Sequence, residues 1–207
     1  MNGKKISGLL LDMNGVIRHF DDSGAAAGEA LAGLPSGTIR EYAYQHPSYE
    51  LAKVGVMDNR QWVSDVRRRL VADFGHHAEN AVEAWCEDRG TVDGDALATI
   101  RRIRREVPVG VLSNFTDALH ADMVFHGMVD EFDYVFPSHD IRVQKPSPLA
   151  YLTAVERMSL EVGDVIFFDD QPAYVAGARA AGLSAFLFTS WDRVVEELDR
   201  HGVHVSH

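Results

Sequence analysis

Short apolar runs alternate along this chain with stretches whose apolar residues recur at helical spacing. Residues 6–11 are apolar on both faces and end at Asp12, the pattern of a strand buried in a parallel sheet. The chain then turns through Asn14-Gly15. From about Asp21 to Val92 the pattern is helical and poor in strand signals. Residues 25–34 are rich in alanine, Trp62, Val66 and Leu70 recur at i, i+4 and i+8 with Val63 and Phe74 beside them, and Ala78, Val82 and Trp85 mark a further helix. Gly75 and Gly90 stand where helices are expected to stop, and Pro35-Ser36-Gly37 and His46-Pro47-Ser48 read as breaks. From Asp93 a regular alternation begins. Helices are expected around Leu97, Ile100 and Ile103, over residues 118–125, around Leu149, Leu152 and Val155, over 175–181, and around Val194, Val195 and Leu198 with Ser190 as cap. Strands are expected over 107–112, 134–136, 165–168 and 185–188. This order predicts an α/β fold: a doubly wound parallel sheet with a Rossmann-like core, residues 1–19 and 93–207, interrupted after its first strand by a helical insertion, residues 20–92.

Composition narrows the function classes. The 207 residues allow one globular domain, or one core with a modest insertion. A hydrophobic share of 46% and a charged share of 25% exclude collagen-like, mucin-like and wholly disordered chains. With 20 Lys+Arg against 31 Asp+Glu the net charge is -11, unsuited to tracking a phosphate backbone, so no nucleic-acid partner is expected. No membrane partner is expected either: a basic amphipathic segment is lacking, and no apolar run approaches the roughly 18–20 residues of a span. The first fifteen residues make a poor signal peptide, because Asp12 interrupts a short apolar run, and the protein reads as cytoplasmic. The single cysteine, Cys86, excludes an internal disulfide and a cysteine-based zinc site. The expected partner is a small molecule, bound by a monomer or a homodimer.

The chemistry gathers where apolar runs end. Asp12, Ser113-Asn114 and Asp169-Asp170 each follow a predicted strand. In open α/β sheets ligands bind outside the carboxyl ends of the strands, so these groups are expected to converge. Like charges at close range are costly unless a cation compensates or one carboxyl is protonated. Hard oxygen ligands favour Mg²⁺. Lys145, just before Pro146 and a predicted helix, is placed to neutralise part of the cluster and to hold a phosphate. Taken singly, an Asp after a strand is more often a turn former or cap; the conjunction carries the argument.

Four segments now bear a resemblance: LLLDMNGVI at residues 9–17, VGVLSN at 109–114, Lys145-Pro146, and VIFFDDQPAYVAGARAAG at 165–182. In this order and at these spacings the chain resembles the haloacid dehalogenase-like hydrolases, and the helical insertion is similar to that family's small cap. The closest likeness is to the branch of sugar-phosphate phosphatases and the phosphatase half of soluble epoxide hydrolases. The resemblance implies a Mg²⁺-dependent phosphatase acting on a small phosphorylated metabolite. It implies that Asp12 attacks phosphorus to form an aspartyl-phosphate. Ser113 is implied to hydrogen-bond a phosphoryl oxygen and Lys145 to stabilise the transferring group. Asp12, Asp170 and the backbone carbonyl of Asn14 are the implied metal ligands, with Asp169 close by or acting through water. Backbone N–H groups around Gly15 and at Asn114 are implied to cradle the phosphate.

Asn14 departs from the family's pattern. Its phosphatases usually carry Asp at this position, to protonate the leaving oxygen and later activate water, help worth roughly 10²–10⁴-fold in rate. Asn exchanges no proton, so a good leaving group is favoured. An alternative is a turnover-impaired relative that binds a phosphorylated ligand or a protein partner. Another is carbon–halogen or carbon–phosphorus hydrolysis, against which the retained Asp169-Asp170 pair argues. Tyr174 stands where relatives often have Asn. Arg18 and His19 follow the first motif, and one of them, Arg18 foremost, is a candidate to meet substrate. Tyr42, Tyr44, His46, Tyr49 and Lys53 form either a pocket lining or the insertion's own core and rim. The arginine runs at 67–69 and 101–105 read as solvated helix faces, and His76, His77, His201, His204 and His207 as surface positions.

Overall fold

The computed structural model describes residues 6–206. In chain order it comprises β1 (Gly8–Leu11), β2 (Arg18–His19), α1 (Ser23–Ala32), α2 (Thr38–Tyr44), α3 (Pro47–Lys53), α4 (Asn59–Phe74), α5 (Glu79–Glu87), β3 (Thr91–Val92) and α6 (Gly94–Ile103). There follow β4 (Val109–Ser113), α7 (Ala118–Phe125), β5 (Tyr134–Pro137), α8 (Ser138–Ile141), α9 (Pro148–Arg157), β6 (Val165–Asp169), α10 (Pro172–Ala180), β7 (Ser184–Leu187) and α11 (Trp191–Arg200). Five strands form a parallel sheet in the order β5-β4-β1-β6-β7. The chain runs outward from β1 to one edge and then crosses to the other side, so the switch point lies at β1, between β4 and β6.

Strand periodicity divides the core. Leu9, Leu11, Val109, Val111, Ile166 and Phe168 pack with Ile100, Leu119, Met123, Val194 and Leu198 on one face. Leu10, Leu112, Val165 and Phe167 pack with Tyr151, Ala154, Val175 and Ala178 on the other. Both faces of β1 are therefore apolar because both are covered by helices. A third apolar cluster, including Ile39, Trp62, Val66, Leu70 and Val82, lies within the helices between β2 and β3. The two connections to those helices pair as an antiparallel ribbon, Arg18 opposite Val92 and His19 opposite Thr91.

Local signals explain the helix ends. Asp58 accepts from the Gln61 N–H while the Gln61 side chain accepts from the Asp58 N–H, a capping box that starts α4. Asp93 accepts from two amides to start α6, and Ser190 accepts from the Arg193 N–H to start α11, as expected. Two sequence expectations are corrected. Gly90 does not end a helix: α5 stops at Glu87, and Gly90, with φ +69°, turns the chain into β3. In α9 the buried stripe is Ala150, Tyr151, Ala154 and Val155, while Leu149 and Leu152 are exposed. The Tyr151 ring is drawn inward by packing on Phe167 and by its hydroxyl donating to the Tyr174 carbonyl at 2.7 Å.

Candidate active site

Asp12 is the first residue beyond β1, and its N–H still donates to the Phe168 carbonyl at 2.9 Å. That bond fixes the side chain against the end of β6, where Asp169 and Asp170 follow. Lys145 arrives between α8 and α9 with its side chain wholly buried. Its Nζ lies 2.8 Å from Asp12 Oδ1 and 2.6 Å from Asp169 Oδ2. Asn114 grips the lysine backbone on both sides, Oδ1 accepting from its N–H and Nδ2 donating to its carbonyl, each at 2.8 Å. The Phe167 and Tyr174 rings stand 5.5 and 5.0 Å from the ammonium. Ser113, at the end of β4, is buried.

Burial dominates the electrostatics. It raises the Asp12 pKa above the ordinary carboxylate value, with Lys145 opposing. It pushes Asp169 up to about 7, again against Lys145. Burial alone would pull Lys145 down, but Asp12 and Asp169 together outweigh it and the net direction is up. One ammonium therefore serves two carboxylates in a group of three, each of which offers one oxygen within 4.8 Å of the others. The remaining negative charge and the all-oxygen donor set fit a hard divalent cation. The two aspartates of the pair are not equivalent. Asp169 uses Oδ1 to accept from the Gln171 N–H at 2.8 Å and Oδ2 to accept from Lys145. Asp170 is partly exposed and, among the described residues, accepts a hydrogen bond only from the Gln171 side-chain amide, at 3.0 Å, leaving its other oxygen available. Gly15 closes on this aspartate: φ is +89°, and a Cβ there would stand 2.3 Å from Asp170 Oδ2.

Asn14 and Arg18 form a second network. Arg18 Nε donates to Asn14 Oδ1 at 3.0 Å, and Nη1 donates to Asp122 Oδ2 at 2.7 Å. Asp122 Oδ1 accepts from Arg89 at 2.6 Å. Arg18 has no exposed surface, so it does not stand open to substrate as the sequence suggested. A cavity of about 970 Å³ lies between the inserted helices and the start of α7 with the loop before it, and of the motif residues it is Asn14 that lines it. Tyr44 and Tyr49 line it too, joined by Trp62, Trp85, Phe20 and Phe115. Tyr42 instead packs on Phe74, His46 caps α3, and Lys53 is buried beside Glu50 and Tyr49. Sequence reading passed over Asp122, though the signal was present. It shares the buried stripe of α7 with Leu119 and Met123, and a carboxylate there needs a cationic partner.

The match to known proteins follows this geometry. The family model described as haloacid dehalogenase-like hydrolase matches residues 6–182. The chain belongs to that family. It is a hydrolase with phosphatase-named relatives. The chain is 34% identical over 211 residues to a protein named Phosphatase MT3486 from Mycobacterium tuberculosis (strain CDC 1551 / Oshkosh), covering 95% of each chain. A family enzyme from Bacteroides thetaiotaomicron, bt-2542, solved with magnesium and inorganic phosphate, aligns at TM-score 0.71 and 17% identity over 91% of this chain and 98% of that one. The L-2-haloacid dehalogenase of Xanthobacter autotrophicus, solved with chloropropionic acid covalently bound, aligns at TM-score 0.64 and 23% identity over 96% of this chain and 84% of the other.

Proposed function

We propose that this hydrolase is a Mg²⁺-dependent phosphatase of a small phosphorylated metabolite. The observation that carries the reading is the buried Lys145 shared by Asp12 and Asp169, with Asp170, not engaged by the lysine, beside them. Asp12, Asp170 and the backbone carbonyl of Asn14 would hold the metal, which would screen the negative charge of substrate and site. Attack on carbon needs no such set, so the retained acidic pair favours phosphorus over carbon–halogen chemistry. A phosphatase-named relative matched along 95% of both chains supports the same choice.

In this reading Asp12 forms a bond to phosphorus as the bond to the leaving oxygen breaks. Lys145 holds the carboxylate in place and balances charge as the transferring group flattens. Ser113 donates to a phosphoryl oxygen, and the amides about Gly15 and Asn114 cradle the others. Water then attacks phosphorus and releases Asp12 and inorganic phosphate. Asn14 has no acidic proton to transfer, so the leaving oxygen departs as an anion. Residues 20–92 act as a cap over the cavity, their aromatic wall of Tyr44, Tyr49, Trp62 and Trp85 meeting the leaving group.

Asn14 also favours a second reading, a relative that binds a phosphorylated ligand without efficient turnover. One assay separates the two: phosphate release, with and without Mg²⁺, across small phosphate esters and anhydrides, beside Asp12→Asn. Release that requires both Mg²⁺ and Asp12 is the expected result. Silence across the panel, with ligand-induced thermal stabilisation still present, would replace the phosphatase with the binding protein.

A further inference from the structure

The pair Asn14–Arg18 supports an inference that rests on the phosphatase reading and narrows its substrate. A guanidinium offers donors and no acceptor, so the end of the Asn14 amide that meets Arg18 Nε must be Oδ1, at 3.0 Å. The other end, Nδ2, has no acceptor among the described residues, and Asn14 lines the cavity. The side chain of residue 14 therefore presents its NH₂ donor to a ligand. Arg18 is itself fixed. Its guanidinium lies 4.8 Å from both the Phe20 and Phe115 rings, and Asp122 anchors Nη1 at 2.7 Å. Its Nη2 is buried with no partner among the described residues. A wholly buried arginine with an unmet donor is a poor device for stability. Its hold on Asn14 supplies another reason for its presence.

We propose that Arg18 is a positioning residue that keeps the Asn14 NH₂ group turned toward the leaving-group oxygen, so that the site selects phosphates whose leaving group departs unprotonated. As the Asp12–phosphorus bond forms, the electron pair of the breaking bond passes to the leaving oxygen. The Asn14 N–H stabilises that developing charge by a hydrogen bond, and the oxygen takes its proton from water after release. The substrate class is phosphates of acidic leaving groups, such as acyl phosphates, anhydrides or anomeric sugar phosphates, in preference to simple alkyl esters.

The test is a series of aryl phosphates of graded phenol acidity, assayed with Mg²⁺ on the wild type, Asn14→Ala, Arg18→Met, Arg18→Lys and the double variant Asn14→Ala/Arg18→Met. Wild-type kcat is expected to fall steeply as the phenol becomes less acidic. Arg18→Met is expected to lower kcat roughly tenfold or more for the least acidic phenol and about twofold for the most acidic, with KM little changed. Added to Asn14→Ala it should bring no further loss. Arg18→Lys should recover part of the rate and keeps the buried charge should Arg18→Met fail to fold. Equal losses for every phenol, or losses that add, would reduce Arg18 to a structural role and overturn the proposal. A wild type without Asp12-dependent phosphate release defeats the phosphatase reading instead. The lock is then read by NMR: the Asn14 side-chain NH₂ signals should stand apart from those of free amides and move toward them in Arg18→Lys or Arg18→Met. Signals indifferent to both changes would overturn it.

Discussion

At the scale of single residues, Gly15 ties backbone conformation to chemistry. Its φ of +89° is strained for any L side chain, and the Cβ of an alanine would lie 2.3 Å from Asp170 Oδ2. Gly15→Ala must therefore displace the acid left available for a cation. The expected outcome is a Mg²⁺ concentration for half-maximal activity raised roughly tenfold or more, read from a metal titration beside the wild type, as for changes that misplace ligands around a metal. Tyr174 illustrates the opposite case. It takes a structural part, its carbonyl accepting from Tyr151 and its ring lying over Lys145. The type of residue at each strand end was legible in the sequence. Which aspartate of the 169–170 pair is engaged by Lys145 was not, because that depends on the direction from which a lysine 24 positions away enters.

At the scale of elements, Asp133 fastens the start of β4. It accepts from the Val109 N–H at 2.8 Å and from Arg104 Nε and Nη2 at 3.1 and 2.7 Å. The Arg104 hydrogen bonds hold its carboxyl below the ordinary carboxylate range. A carboxyl depressed on folding contributes stability above its unfolded pKa, and that contribution fades as pH falls through the lower folded value. Asp133→Asn is thus expected to lose about 1 kcal/mol at pH 7, since solvent screens a partly exposed pair. Its difference from the wild type should shrink as pH falls below the unfolded aspartate value of about 4, as urea unfolding at pH 7 and at acid pH would show. Helical and strand periodicity placed most elements correctly. The face of α9 was misread because Leu149 and Leu152 look more apolar than Tyr151, while a Phe167 ring and a waiting carbonyl draw the tyrosine inside.

At the scale of the whole molecule, the apolar clusters lie within the sheet layers and within the inserted helices, whereas several contacts between the two are polar. Ser138 Oγ donates to the Lys53 carbonyl at 2.6 Å, Asp117 Oδ1 accepts from the Asn59 N–H at 2.7 Å, and Gln144 donates to Glu50 at 2.7 Å. Polar interfaces of this kind suit relative motion. Ser138 is the one to test, since it is fully buried and also accepts from the Phe115 N–H at 3.1 Å. Ser138→Ala leaves a buried donor and a buried acceptor unmet. The melting temperature is expected to fall by roughly 2–6 °C, measured by calorimetry. No helix among the described residues is long and apolar enough to cross a membrane.

The sequence by itself determined the order of strands and helices, the helical stretch after β1, and Asp12, Ser113, Lys145, Asp169 and Asp170 as candidates for the site. Those follow from local periodicity and from chemistry placed at strand ends, and both are written along the chain. Only the tertiary structure decided that Asn114 serves the lysine backbone, that Arg18 turns inward to Asn14 and Asp122, and that Trp62 and Trp85 face the cavity. Asp122 lies 104 positions from Arg18. Such a pairing has no signature in spacing: it exists because the fold withdraws Arg18 wholly, and Asp122 nearly so, from water, so each charge must find a partner.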